Sequence, residues 1–197
     1  MSATAMDNVR SATPGQVRRS PSVPAHWPIR HHVAAAETTP AGPLHSVEVT
    51  VPAKTNLTLH VGPAHEEWGG RHALDTIYCA IGVNDVVTAT AKTPGSGFSL
   101  ELSGEHLGDL ASSGSDMRRN HAVLALFAIA RAAGREPDVA LHVDKHIPVG
   151  AGLGGGSADA AATLLAVNTL WGLHWPIERL RDIAATLGAD MPFCLEG

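Results

Sequence analysis

Aromatic and charged residues are scarce in this sequence. Phe, Trp and Tyr make up 4% of 197 residues, with a single tyrosine, and charged side chains make up 17%. The net charge of −5, with histidine neutral, lacks the basic excess that a nucleic-acid-binding surface needs. The two cysteines, Cys79 and Cys194, lie far apart and match no metal-ligand spacing. Free thiols suit a reducing compartment, which favours the cytoplasm. No apolar run reaches the ~18–20 residues of a membrane span. What is present is 44% hydrophobic residues, enough for a core. The length suits one domain of ~150 residues with an additional arm.

Residues 1–45 read as that arm. They carry Pro14, Pro21, Pro24, Pro28, Pro40 and Pro43 with few large aliphatics. Such a segment buries too little apolar surface to offset the entropy of ordering it. Arg10, Arg18, Arg19 and Arg30 are present without an apolar stretch beside them, so the arm does not read as a secretory signal.

The most informative stretch is Pro148-Val149-Gly150-Ala151-Gly152-Leu153-Gly154-Gly155-Gly156-Ser157-Ala158, with five glycines in the seven positions 150–156. Glycines let the backbone turn several successive N–H groups towards one anion. Ser157 is placed to cap a helix over 158–170, whose start adds free N–H groups and the positive end of its dipole. The spacing therefore predicts a phosphate cradle. A flexible linker would be Ser/Gly repeats and would not run straight into a strong helix. No lysine follows the glycines as in G-x-x-x-x-G-K-[ST], and no clean G-x-G-x-x-G is present.

The remaining pattern alternates strands and helices. Val47, Val49 and Val51 alternate with polar residues, and the pattern resumes after Pro52 through Leu59. Residues 62–68 read as a loop. Residues 73–91 read as one or two strands with Ile77, Ile81, Val83, Val86 and Val87 as core candidates, and 82–85 as a turn. Phe98, Leu100 and Leu102 alternate as a further strand, followed by a polar loop over 104–116. A helix is predicted from Asn120 to Ala133, capped by Asn120 or Asp116, with Val123, Leu124, Phe127 and Ala130 to Arg131 at helical spacing and Gly134 as its stop. Val139, Leu141 and Val143 form a strand leading into the glycine loop. His142 and His146 would share a strand face about 13 Å apart, too far for one metal. Pro176 opens another helix, with Leu180, Ile183, Ala184 and Leu187 as its buried stripe and Gly188 at its end.

Three segments of this order resemble the GHMP kinases, and among them the 4-diphosphocytidyl-2-C-methyl-D-erythritol kinases. The glycine stretch is similar to P-x-G-x-G-L-G-[GS]-[GS]-[SA]. Pro52-Ala53-Lys54-Thr55-Asn56-Leu57 is similar to P-[AG]-K-x-N-L. Gly188-Ala189-Asp190-Met191-Pro192-Phe193 is similar to G-A-D-[VI]-P-[FV]. Gly69-Gly70-Arg71-His72 stands where the family has D-G-Y-H, so Gly70 and His72 match and the stacking tyrosine is replaced by Arg71. Trp68 or Tyr78 is a candidate substitute for it.

The resemblance implies an α+β fold like domain 2 of ribosomal protein S5, over Val47 to Glu196. It implies ATP and Mg²⁺, with Pro148 to Ala158 wrapping the phosphates and Ser157 near the metal. It implies that Asp190 activates the substrate hydroxyl, that Lys54 stabilises developing charge, that Asn56 binds substrate or braces Lys54, and that His72 reads cytosine. The implied partner is a small molecule, cytidine diphosphate methylerythritol. No match to the family's third glycine-rich motif is present, so the second GHMP domain is expected to be absent from this chain. The alternatives are a GHMP kinase for homoserine or a mevalonate-type alcohol, and a nucleotide-binding module without turnover.

Overall fold

The computed structural model describes residues 45–107 and 117–196. The N-terminal arm, most of the polar loop after Gly104, and the side chains of Trp68 and Arg71 lie outside the described residues.

Strand β1 (Ser46–His65) and strand β2 (Arg71–Ala91) form a long antiparallel hairpin. Strand β4 (Val139–Lys145) pairs antiparallel with β2, and β3 (Ser99–Gly104) pairs parallel with β4. The sheet order is β1-β2-β4-β3. The parallel pair needs a crossover, which helix α1 (His121–Ala133) supplies. Helices α2 (Gly155–Leu170), α3 (Ile177–Leu187) and α4 (Met191–Glu196) follow.

The core lies between one sheet face and the helices. Val47, Val49, Val51 and Ala53 on β1 meet Val87 and Ala89 on β2 and Val139, Leu141 and Val143 on β4. Helix α2 is buried on most sides, with Ala158, Ala160, Ala161, Ala162, Leu164, Ala166 and Val167 inaccessible to solvent. A helix apolar all round belongs in an interior, and its alanines let sheet and neighbouring helices approach closely.

Several expectations change. Pro52 does not end β1, because the pairing absorbs it: Pro52 faces Asn84 while Ala53 faces Ile81. Residues 82 and 83 are thus a bulge within β2 and not a turn, which leaves Val83 exposed. The expected loop over 62–68 is mostly strand, closed by a 3-10 turn at Glu66–Trp68 and left-handed Gly69. Ile77 is 56% exposed because β2 there runs beyond the helical layer. Asn120 caps α1 as predicted, its side chain accepting from the Ala122 N–H. The inward stripe of α1, however, is Ala122, Val123, Ala125, Leu126, Ile129 and Ala130, with Leu124 and Phe127 turned aside. Its alanines set the face that presses on α2. Helix α2 begins two residues before the expected serine cap. Gly154, with φ of 73°, takes the cap position, and no side chain caps the helix.

Strand parity sends one cation into this interior. Val139, Leu141 and Val143 point inward, and so does Lys145, which is 2% exposed. Its ammonium donates to Asp85 on β2 and to Asp159 on α2, the latter at 2.8 Å. Asp85 also accepts the backbone N–H groups of His146 and Ile147 at 2.6 and 2.8 Å. The second oxygen of Asp159, Oδ1, has no hydrogen-bond partner among the described residues. Burial pushes the Asp159 carboxyl up to about 7, with Asp85 adding to the rise and Lys145 opposing it.

Removing one member of a buried ion cluster leaves uncompensated charge, so Lys145→Met should lower stability by about 3–5 kcal/mol. A carboxyl whose proton is held more tightly in the folded chain stabilises the fold at low pH, and that contribution is lost as pH rises through about 7. Denaturant unfolding across that range should therefore show Asp159→Asn gaining on the wild type as pH rises. A constant gap would contradict the cluster's proton balance.

Candidate active site

The glycine stretch leaves β4 at Lys145, loops over a cavity of about 270 Å³, and enters α2. Pro148 to Gly156 line that cavity. Ser157 lies in the first turn of α2 and Ala158 is fully buried beneath it. Helix geometry leaves the first-turn N–H groups of α2 without intrahelical acceptors. Arg119, Asn120 and His121, at the start of α1, form the opposite wall, with Lys145 and Asp159 among the remaining lining residues.

Close approaches explain the glycines at the end of the loop. A Cβ on Gly155 would come within 3.1 Å of the Lys145 ammonium and of Ile147. One on Gly156 would overlap the His121 ring. Gly154 has both a left-handed backbone and the Lys54 side chain against it, with a Cβ landing 2.8 Å from Lys54 Cγ.

That contact joins the loop to β1. The Lys54 N–H donates to the Leu153 carbonyl at 2.9 Å. The Lys54 ammonium, 7% exposed as a residue, donates to Asn56 Oδ1 at 2.8 Å and lies 3.4 Å from Asp190 Oδ2. Asn56 in turn donates to Thr76 Oγ1 at 2.7 Å, and Thr76 donates to the Thr58 carbonyl at 2.6 Å. Asp190 precedes α4 and accepts a hydrogen bond from the Tyr78 hydroxyl at 2.8 Å. The Tyr78 ring stacks on Phe193 with centroids 4.9 Å apart. Burial, then Asp190, pushes the Tyr78 phenol up to about 12. Burial, then the Asp190 charge, does the same to the Cys194 thiol.

Lys54, Asn56 and Asp190 therefore meet beside the glycine loop. His72 sits further along β2, exposed, with its Nδ1 2.8 Å from the Gly62 carbonyl. It shares a second cavity with Thr76, Tyr78 and Ala189. The imidazoles of His142 and His146 are occupied elsewhere, at Ser103 and Asp144 respectively.

The sequence reading did not find Lys145 and Asp159, although both flank the loop. Parity along β4 would have marked Lys145 as inward. The sequence marks Asn120 only as a cap and carries no signal for Arg119 or His121.

A lysine and a carboxylate meet beside a glycine-rich loop on this order of strands and helices, and comparison with known proteins identifies the fold. Residues 120–197 match the family described as GHMP kinases N terminal domain. The fold is that of a GHMP kinase N-terminal domain. A 4-diphosphocytidyl-2-C-methyl-D-erythritol kinase from Bifidobacterium longum is 75% identical over 171 residues, covering 86% of this chain and 54% of its own. The enzyme of that name from Mycobacterium tuberculosis is 45% identical over 155 residues, covering 79% of this chain and 46% of its own. The crystal structure of a 4-(cytidine 5'-diphospho)-2C-methyl-D-erythritol kinase, 36% identical, superposes with a TM-score of 0.56 over 75% of this chain and 48% of that one. The chain spans about half the length of the curated relatives it matches.

In this domain the Lys54 side chain packs directly against Gly154, joining loop and strand. Gly154→Ala strains a left-handed backbone by roughly 1–2 kcal/mol and must displace the lysine. Thermal unfolding of the variant should show that loss. The Lys54 side-chain NMR signals should move while those of Lys145 stay. An unchanged Lys54 environment would argue against the contact.

Proposed function

We propose that this chain is the nucleotide-binding half of a kinase that transfers the γ-phosphoryl group of ATP to the 2-hydroxyl of 4-diphosphocytidyl-2-C-methyl-D-erythritol, a step of non-mevalonate isoprenoid precursor synthesis. The observation that carries the reading is the meeting of Lys54 and Asp190, 3.4 Å apart, beside the glycine loop. The named relatives supply the substrate.

Phosphoryl transfer needs positioning and charge stabilisation more than covalent chemistry. Pro148 to Ala158 supply the cradle for the ATP phosphates, with the free amides at the start of α2 closing it. Asp190 takes the hydroxyl proton as the hydroxyl oxygen forms its bond to the γ-phosphorus and the bond to ADP breaks. Lys54, a cation with little water around it, offsets charge on the transferring group and keeps Asp190 oriented. Asn56 holds Lys54 on its strand. His72 and the cavity it shares with Thr76 and Tyr78 receive the cytosine end of the substrate.

Mg²⁺ fits as the companion of ATP, screening the phosphate charges. Among the described residues no group of three or more His, Cys, Asp or Glu is placed to hold a metal of its own. The two cysteines are free, which suits the cytoplasm.

The test is ADP formation by the chain with ATP, Mg²⁺ and the cytidine substrate, alone and joined to the second half of the Bifidobacterium longum relative. Turnover with this substrate, and none with homoserine or mevalonate, is the expected result. Asp190→Ala should cost about 10²–10⁴-fold in kcat, and Lys54→Ala about 10²–10³-fold. Gly155→Val, which crowds Lys145 and Ile147, should raise the Kd for ATP. Full turnover in Asp190→Ala would remove the base assignment, and preference for another alcohol would remove the substrate.

A further inference from the structure

We propose that Tyr78 is a positioning residue for Asp190, anchoring one carboxylate oxygen so that the other is left to receive the substrate proton. This rests on the kinase reading given above. The Tyr78 hydroxyl donates to Asp190 Oδ1 at 2.8 Å, while Asp190 Oδ2 faces the Lys54 ammonium at 3.4 Å. The two oxygens therefore have different partners. Oδ1 accepts a directed hydrogen bond from a group held firmly, and Oδ2 faces a cation at a longer distance that leaves room for a second donor.

The anchoring is built from two directions. Asn56 shares the Lys54 face of β1, two residues along, and Tyr78 stands opposite Asn56 in the β1–β2 register, so the pairing places the phenol on that same face. Its ring stacks on Phe193 of α4, the helix that starts directly after Asp190. Ring and carboxylate thus move with the same helix. The Lys54 ammonium lies 5.4 Å from the centre of the ring, so the phenol also forms a wall beside the cation. A phenol raised to about 12 keeps its proton throughout the neutral range, so it remains a donor to Asp190 and does not compete as an acid. The bond fixes Oδ1 and leaves Oδ2 as the oxygen open to the substrate proton.

The sequence contains one tyrosine, so spectroscopy reads this side chain alone. In the Raman spectrum of the full chain, the tyrosine Fermi doublet should have the intensity ratio of a strong hydrogen-bond donor, and Asp190→Ala should shift it towards that of a solvated phenol. In the active form of the enzyme, Tyr78→Phe keeps the ring on Phe193 and removes only the hydroxyl. It should lower kcat about tenfold, the scale of one hydrogen bond to a charged group, with KM for ATP within about twofold. Adding Tyr78→Phe to Asp190→Ala should cost nothing further, because the two act as one unit. Undiminished kcat would overturn the proposal, as would a doublet insensitive to Asp190→Ala. A donor signature in a chain without turnover on any alcohol would overturn the reaction and the role together, and leave the contact itself standing.

Discussion

A buried lysine held between two aspartates fixes the rest of the site. Lys145 is the last residue of β4, and parity along that strand forces it inward. Asp85 from β2 and Asp159 from α2 meet it there. Desolvating three ionisable groups is costly and is tolerated only where they satisfy each other. The arrangement also joins the strand before the glycine loop to the helix after it, and Asp85 takes the two N–H groups at which the chain leaves the strand. The loop therefore hangs between two points pinned to one ammonium. A stretch so rich in glycine would otherwise sample many conformations, and most of them would turn its amides away from a common centre.

Lys54 extends this constraint to the chemistry. Its backbone binds Leu153 of the loop, its aliphatic stem rests on Gly154, and its charged end reaches Asn56 and Asp190. One side chain thus links the glycine loop to Asn56 and Asp190 across the cleft. The order of events in the sequence, with lysine early, glycines in the middle and aspartate late, becomes a single locus because α2 lies across β1 and β2 and delivers α4 back to the hairpin.

Much of this could be read without coordinates. The glycine stretch, the lysine motif and the aspartate motif each carry residue types dictated by charge and backbone geometry, and such demands leave a local trace. The alternation of Val47, Val49 and Val51 and the cap at Asn120 were legible for the same reason. Other features depended on partners distant in sequence. Gly82 to Asp85 has turn composition, yet the pairing with β1 converts it to a bulge and buries Asp85 under Lys145. Leu124 and Phe127 have helical spacing, but the alanines of α1 choose the inward face because only they allow α2 so close. Ser157 has the chemistry of a cap, and Gly154 took that position because it alone could bend left-handed against Lys54.

The length of the hairpin sets an asymmetry between the two sides of the cleft. Strand β2 has β4 as a neighbour only over Val86–Ala91, whereas its pairing with β1 continues to Arg71. Beyond that point the hairpin is a two-stranded ribbon, and such ribbons twist more freely than wide sheets. Asn56, His72, Thr76 and Tyr78 all sit on the ribbon, while the glycine loop sits on the pinned core. One jaw of the cleft is thus stiff and the other compliant, which under the proposed function would let the domain hold an invariant polyphosphate rigidly and still flex around the bulkier molecule that receives the phosphoryl group.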